Sequence, residues 1–358
     1  MALEKKNKLT IGILGCGQIA QAAHFESCSK AKNVELIAIC DLDESLMNRM
    51  AITFNVKKKY KFFNEMLSDP EIEAIIIATA DEFHVDLSIQ ALKAGKHVLC
   101  EKPLGCSVEE LVELRNVVKM TNKFLQVGHM KRFDIGLQEA KLFIDNEMGE
   151  MLAFKAWYCD STHRYSVTDA LQPLIVKGGN TKKPSKDPKE DLKRYFMLAH
   201  GSHLIDTARF LAGNIKYVQA RYLNKFGAHS WFIETEFKNG SIGHLDLTIA
   251  VRMDWHEGFQ IYGEHGSVLG KTFNPWLYKT SEVDIFKEKD VSTIRPLGPD
   301  GHFYRRQVEA FSKICKSNQK IEVADVNDGL ECVKTMVAIR QSIELRKRVY
   351  INDVSGSV

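Results

Sequence analysis

The apolar positions in the first third of the chain fall into short runs separated by segments with helical spacing. "LTIGILG" (Leu9–Gly15) is followed by "VELIAICD" (Val34–Asp41), "AIIIATA" (Ala74–Ala80), "HVLC" (His97–Cys100) and "FLQVG" (Phe124–Gly128). The Ala74–Ala80 run is continuous and β-branched, the pattern of a strand buried on both faces. Gln18–Lys30, Asp43–Phe54, His84–Ala94 and Val108–Thr121 read as helices between the runs. Strands alternating with helices of this length predict β-α-β units and a parallel sheet.

Past about residue 150 the pattern changes to longer, alternating and more aromatic runs: Met151–Ser161, Ser230–Phe237, Ser241–Met253 and Gly258–Gly263. Asn239-Gly240 between two of them is a hairpin signal. This half predicts a mainly antiparallel sheet packed on one face. Val176–Arg194 is rich in Lys, Pro, Gly and Asp with mixed charge and reads as a solvated loop, with a lid or a subunit contact as the alternatives. Asp328–Lys347 carries apolar residues at Leu330, Val333, Val337 and Ile343 and reads as a helix. The expected domains are 1–128 and 129–358, the last helices packing back on the first domain.

Composition removes several function classes. The chain has 358 residues, 44% hydrophobic and 27% charged, with a formal net charge of +3. That balance suits a globular protein with a sizeable core and lacks the dense basic stripe of a nucleic-acid binder. No run reaches the ~18 apolar residues that span a bilayer, and "MALEKKNKLT" has no apolar stretch long enough for a signal peptide. None of the eight cysteines forms a Cys-x-x-Cys pair. Buried thiols in a reducing compartment are therefore expected over disulfides, and the expected location is the cytoplasm.

The first strand runs into Gly15-x-Gly17-x-x-Ala20. Gly15 permits the tight turn, Gly17 lets a pyrophosphate approach the backbone, and Ala20 lets the helix pack close to the strand. The helix N-terminus then offers free N–H groups to phosphates. Asp41 ends the second run, 21 residues after Ala20. A carboxylate there accepts from the adenosine ribose hydroxyls and repels a 2′-phosphate, favouring NAD over NADP. Its alternative role is a helix N-cap.

"VLCEKPLG" (Val98–Gly105) places a lysine between an acid and a proline as an apolar run ends. A second Lys-Pro, Lys183-Pro184, sits in the mixed-charge loop. With "GILGCGQIA", "IIIATADEFH", "CEKPL", "VGHMKRF" and "HGSHLIDTARFLAG" in this order, the chain resembles the Gfo/Idh/MocA oxidoreductases over nearly its whole length. The resemblance implies a Rossmann NAD-binding domain followed by an α/β domain with a large open sheet. That sheet carries substrate on one side and often a subunit contact on the other, here a homodimer or homotetramer. It implies that Gly15, Gly17, Gln18, Ile19 and Ala20 form the pyrophosphate turn and that Asp41 holds the ribose. Thr79 and Ala80 then line the cofactor, with Ala80 where the family usually has proline. His84, Glu101 and Lys102 lie near the cofactor, and Met130 and Lys131 face the substrate; Arg132 looks structural.

Oxidising a secondary alcohol needs a group to steady the oxygen and a base for its proton. A lysine at the end of a parallel strand suits the first task and a histidine the second. His200, His203 and Asp206 are three apart at the start of "HLIDTARFL". The resemblance points to His203 as acid/base. The aspartate that many members carry four residues earlier is Ala199 here, and His200 is placed to bind a substrate hydroxyl or share proton transfer. By residue type alone, His203 also reads as a cap or a packed residue, and a zinc site from His200, His203 and Asp206 is the weaker alternative. His129 and His163 face the cleft or the solvent; His163 is carried as a substrate-binding candidate. Trp157, Trp231, Trp255 and Trp276 read as core residues or a sugar-stacking platform. The expected activity is NAD-dependent oxidation of a ring hydroxyl of a sugar, glycoside or cyclitol, C3 of a sugar before inositol. No metal, nucleic acid or membrane is expected. The alternatives are a reductase of a keto-sugar or unsaturated ring, a glycosidase using NAD transiently, and a non-enzymatic NAD-binding regulator.

Overall fold

The computed structural model describes residues 8–161, 175–179, 184–185, 187–317 and 319–358. His163 and Lys183 lie outside them. The chain forms two compact units, each discontinuous in sequence. The first comprises 1–130, 173–190 and 304–330; the second comprises 131–172, 191–303 and 331–358. Two segments late in the sequence thus belong to the first unit. Among the described residues no helix is long and apolar enough to cross a membrane.

The first unit is built on six parallel strands: β1 (Leu9–Leu14), β2 (Val34–Cys40), β3 (Lys58–Tyr60), β4 (Ala74–Ile77), β5 (His97–Cys100) and β6 (Leu125–Val127). Their order is β3-β2-β1-β4-β5-β6, the strand order of a doubly wound dinucleotide fold. All four side chains of β4 are fully buried, as its unbroken apolar run requires. Each such isoleucine contributes about 1.5–3 kcal/mol of burial. Helices α1 (Phe25–Lys30), α2 (Glu44–Thr53), α3 (Phe63–Leu67), α4 (His84–Lys93) and α5 (Val108–Thr121) connect the strands. Asp43 caps α2 by accepting from the Leu46 N–H, and Ser107 caps α5 by accepting from the Glu110 N–H. Each cap is worth about 1 kcal/mol. Val308 and Phe311 from the late segment complete the core around β1.

Three local features differ from expectation. The helix read from Gln18 opens as a π-helical stretch, Ala20–His24, before α1. Strand β3 has no apolar signal, since it is a three-residue edge strand. Residues 175–179 are not a plain solvated loop. Gln21 donates to the Val176 carbonyl at 2.9 Å and accepts from the Val176 N–H at 2.9 Å, and the Gly179 N–H donates to Asp43 Oδ2 at 2.5 Å. Backbone groups make these contacts, so side-chain composition did not disclose them. A Cβ on Gly178 would lie 2.6 Å from Asp43 Oδ2, which explains the glycine.

The second unit contains a nine-stranded sheet: β7 (Met151–Ser161), β8 (Ile215–Lys225), β9 (Ala228–Phe237), β10 (Ile242–Val251), β11 (His256–Gly263), β12 (Gly266–Thr272), β13 (Glu282–Lys287), β14 (Ser292–Ile294) and β15 (Val349–Tyr350). The order is β14-β13-β12-β11-β7-β10-β9-β8-β15. Only the β7–β10 pair is parallel. Asn239-Gly240 makes the β9–β10 hairpin, with Gly240 at φ +91°. Helices α6 (Ile135–Asn146), α7 (Leu192–Phe196) and α8 (Ser202–Ala212) belong to this unit, α6 packing on β12 and β13 and α8 on β7. The opposite face of the sheet leaves Phe232, Leu269 and Phe286 exposed. Helix α9 (Phe303–Ser317) and the first turn of α10 (Val326–Leu345) fall largely in the first unit, the rest of α10 in the second. All eight cysteines are free, six of them buried, as expected for structural thiols.

Candidate active site

In the first unit, Gly15 turns the chain after β1 at φ +94°, and a Cβ there would sit 2.7 Å from the Ala78 carbonyl oxygen. Gly17 has nothing within 4 Å of its Cβ position, so that side of the turn is open for a phosphate to approach. Gln18 is exposed, Ile19 half-buried and Ala20 fully buried against the core. Asp41 is half-buried at the end of β2. Its Oδ2 accepts from the Cys16 N–H at 2.7 Å and its Oδ1 from the Asp43 N–H at 2.8 Å. These bonds aim the carboxylate at the glycine turn and leave lone pairs on each oxygen for ribose hydroxyls. The helix cap is therefore Asp43, not Asp41. Thr79 and Ala80 are half-buried just past β4. These residues fit a dinucleotide, which when bound would exchange a hydride with the substrate.

Lys102 follows β5 and is half-buried. Its neighbours are held from behind. Glu101 is 5% exposed, with Oε1 2.8 Å from His24 Nε2 and Oε2 accepting from the Lys102 N–H at 3.1 Å. Burial alone would raise the Glu101 carboxyl; the His24 hydrogen bond and charge, with Lys102, outweigh it and hold it below the ordinary value. His84 is fully buried, with Nδ1 2.7 Å from the Pro103 carbonyl oxygen and Nε2 3.2 Å from that of Thr79. Glu101 and His84 thus stand behind the turn instead of on its open surface.

The second unit gathers a polar cluster on the helix-covered side of its sheet. Tyr158 and Asp160 continue the inward alternation of Phe154 and Ala156 along β7. Glu257, on β11, is the cross-strand partner of Tyr158. Lys131 pairs with Glu257, both nearly fully buried, and its Nζ lies 4.6 Å from the Tyr158 ring centre. Burial pushes the Glu257 carboxyl up, against the lowering effect of Lys131. His203, at the start of α8, stacks parallel to the Tyr158 ring at 6.2 Å. His200 Nδ1 is 3.3 Å from the Tyr158 hydroxyl and 3.9 Å from Asp160 Oδ2. Asp206 does not join the histidines as a ligand. Arg132 takes it in a buried two-pronged pair at 2.7–3.1 Å, the structural role read for Arg132. Among the described residues no group of three or more ligands is placed to hold a metal.

Residues 9–129 match the oxidoreductase family, NAD-binding Rossmann fold, and residues 138–269 match the Gfo/Idh/MocA C-terminal domain. The chain belongs to the Gfo/Idh/MocA family. It is 24% identical to the myo-inositol 2-dehydrogenase of Thermotoga maritima over 97% of this chain and 100% of that one. It is 23% identical to the D-glucoside 3-dehydrogenase of Escherichia coli over 95% and 97%. A structure of levoglucosan dehydrogenase with NADH and L-sorbose superposes with a TM-score of 0.78 at 20% identity, covering 97% of this chain and all of that one; this likeness concerns the fold. As a Gfo/Idh/MocA protein the chain is an oxidoreductase with an NAD(P)-binding Rossmann domain.

Met130 and Lys131 begin the segment after β6; Met130 is 2% exposed and Lys131 5%. His129 is buried at 2%, so it does not face solvent. Trp231 is core at 1%, whereas Trp255 packs edge-on to Tyr158 at 5.1 Å. Sequence reasoning missed His24, Tyr158, Asp160 and Glu257. The signal for two of them was present: Asp160 and Glu257 are acids at inward positions of apolar alternations.

Proposed function

We propose that the protein is an NAD-dependent dehydrogenase that oxidises a secondary ring hydroxyl of a sugar, glycoside or cyclitol to a ketone. C3 of a sugar or glycoside is favoured over inositol. The observation that carries this reading is the second-unit cluster of Lys131, Tyr158, Asp160, His200, His203 and Glu257. Its donors and acceptors on one sheet face suit a ligand with several hydroxyls. Relatives named as inositol and glucoside dehydrogenases support the same substrate class.

In this reading Lys102 holds and polarises the reacting oxygen, and His203 takes its proton. Positioned proton transfer of this kind contributes about 10²–10⁴-fold. Asp160 beside His200 supplies the carboxylate that Ala199 does not, and His200 and Lys131 orient neighbouring hydroxyls. Asp41 favours NAD by repelling a 2′-phosphate. The exposed sheet face with Phe232, Leu269 and Phe286 is the homodimer or homotetramer contact.

The test is purified protein with NAD and a panel of hexoses, glycosides and inositols, read by NADH absorbance. No turnover on any ring polyol sinks the reading. Replacing Lys102 by Ala should lower kcat by about 10² or more while NADH affinity stays within a few-fold. Full activity in that variant refutes its role.

A further inference from the structure

The turn Glu101-Lys102-Pro103 is gripped on both sides by buried histidines that sit far from it in sequence. His24, at the end of the π-helical stretch, is fully buried and holds Glu101 Oε1 at 2.8 Å. The other Glu101 oxygen holds the Lys102 backbone N–H at 3.1 Å. Gly128 backs this arrangement: a Cβ there would lie 3.0 Å from Glu101 Cα and 3.1 Å from Oε2, so a larger residue would push the carboxylate away. On the other side, His84 faces two carbonyl oxygens, Pro103 at 2.7 Å and Thr79 at 3.2 Å. A carbonyl only accepts, so Nδ1 donates to the Pro103 oxygen. Burial lowers the ring's pKa, but the neighbouring Cys100 and Asp81 side chains and the Pro103 carbonyl outweigh it and raise it above its ordinary value. Tyr304 closes the His24 side, its ring edge-on at 6.1 Å.

We infer that His24 and His84 are positioning residues that together set where the Lys102 amine lies, His24 through Glu101 and His84 through the Pro103 carbonyl. This rests on the reading that Lys102 polarises the substrate oxygen. Both histidines are fully buried behind the turn. Their work is to fix the two peptide units flanking Lys102, so that the long lysine side chain starts from one defined backbone position. A small misplacement at that origin is enough to matter, since a 1 Å error at a reacting group can cost about 10²-fold.

The experiment reads Lys102 directly. Lysines of the NAD-saturated enzyme are reductively methylated with ¹³C, and the Lys102 signal is assigned by its loss in Lys102→Arg. Its titration midpoint is then compared in wild type, His24→Leu, His24→Gln and Glu101→Gln. His24→Leu and Glu101→Gln should each move the midpoint by about half a unit or more and lower kcat by about tenfold with KM little changed. His24→Gln, which still presents an N–H to Glu101, should restore most of both. An unmoved Lys102 midpoint in folded His24→Leu overturns the inference. If His24→Leu does not fold, an unmoved midpoint in Glu101→Gln, which keeps the shape of the buried pair, overturns it equally. Failure of the dehydrogenase reading is separable: it removes polyol turnover from wild type and leaves the Lys102 titration as readable as before.

Discussion

Replacing Lys131 by Met tests the electrostatics of the second unit most sharply. Glu257 and Lys131 are each 5% exposed, and the lysine is the cation paired with that carboxylate. Removing one member of a buried pair leaves an uncompensated charge, which costs about 3–5 kcal/mol. Protonation caps the cost: neutralising a carboxyl of ordinary pKa ~4.3 at pH 7 takes about 3.7 kcal/mol. The loss of Lys131 over the Tyr158 ring adds about 1–2 kcal/mol. The pH dependence follows from the direction of the Glu257 shift, which is upward because of burial. A carboxyl raised on folding contributes stability that is present below its unfolded value and is lost as pH rises through the folded one. Lys131 limits that loss in the wild type, and the variant has no such limit. Lys131→Met should therefore lose about 4–6 kcal/mol at pH 7 and much less near pH 5. The double variant Lys131→Met/Glu257→Leu should recover most of it. All four tryptophans lie in the second unit, so urea unfolding followed by tryptophan fluorescence reads this unit alone. The expected midpoint shift is about 1 M or more. A loss below about 1 kcal/mol at pH 7, or one that does not shrink on acidification, refutes the reasoning.

Further outcomes follow from single contacts. Gly15→Ala meets the Ala78 carbonyl at 2.7 Å in a left-handed conformation. It should cost about 1–3 kcal/mol and weaken NADH binding in a fluorescence titration, with unchanged affinity counting against the glycine turn as the binding site. Asp41→Ser removes the carboxylate fixed by Cys16 and Asp43. The ratio of NADPH to NADH dissociation constants should fall by about tenfold, the effect of about 1.4 kcal/mol of lost repulsion. Arg132→Lys keeps charge but breaks the two-pronged grip on Asp206. It should destabilise the second unit by about 1.5–3 kcal/mol in the same urea assay.

Much of the fold was legible because its signals are local. The four β4 residues are apolar because both faces of that strand are buried, and the Asn239-Gly240 hairpin is written in two adjacent residues. Lys102 was legible for a similar reason, as a charge placed where an apolar run ends. What stayed hidden depends on partners distant in sequence. His24 and Glu101 are 77 residues apart, and Lys131 and Glu257 are 126 apart. Nothing near His84 announces that two carbonyls enclose its ring. The Val176 region misled through composition: its lysines suggested solvent, while its backbone bonds to Gln21 and Asp43.

The discontinuity of the first unit also has a consequence for biosynthesis. Strand β6 takes a bond from Val127 N–H to the Ala324 carbonyl at 2.8 Å, and Gln126 bridges to Asp325. Gly329 fits against Leu104, and Phe311 is a fully buried core residue. None of these partners exists when residue 130 leaves the ribosome. At about 5–20 residues per second, the nascent nucleotide-binding unit waits tens of seconds with its last strand and part of its core uncovered. Apolar surface left uncovered during that interval is of the aggregation-prone kind, and a fragment ending at residue 130 would lack the same partners.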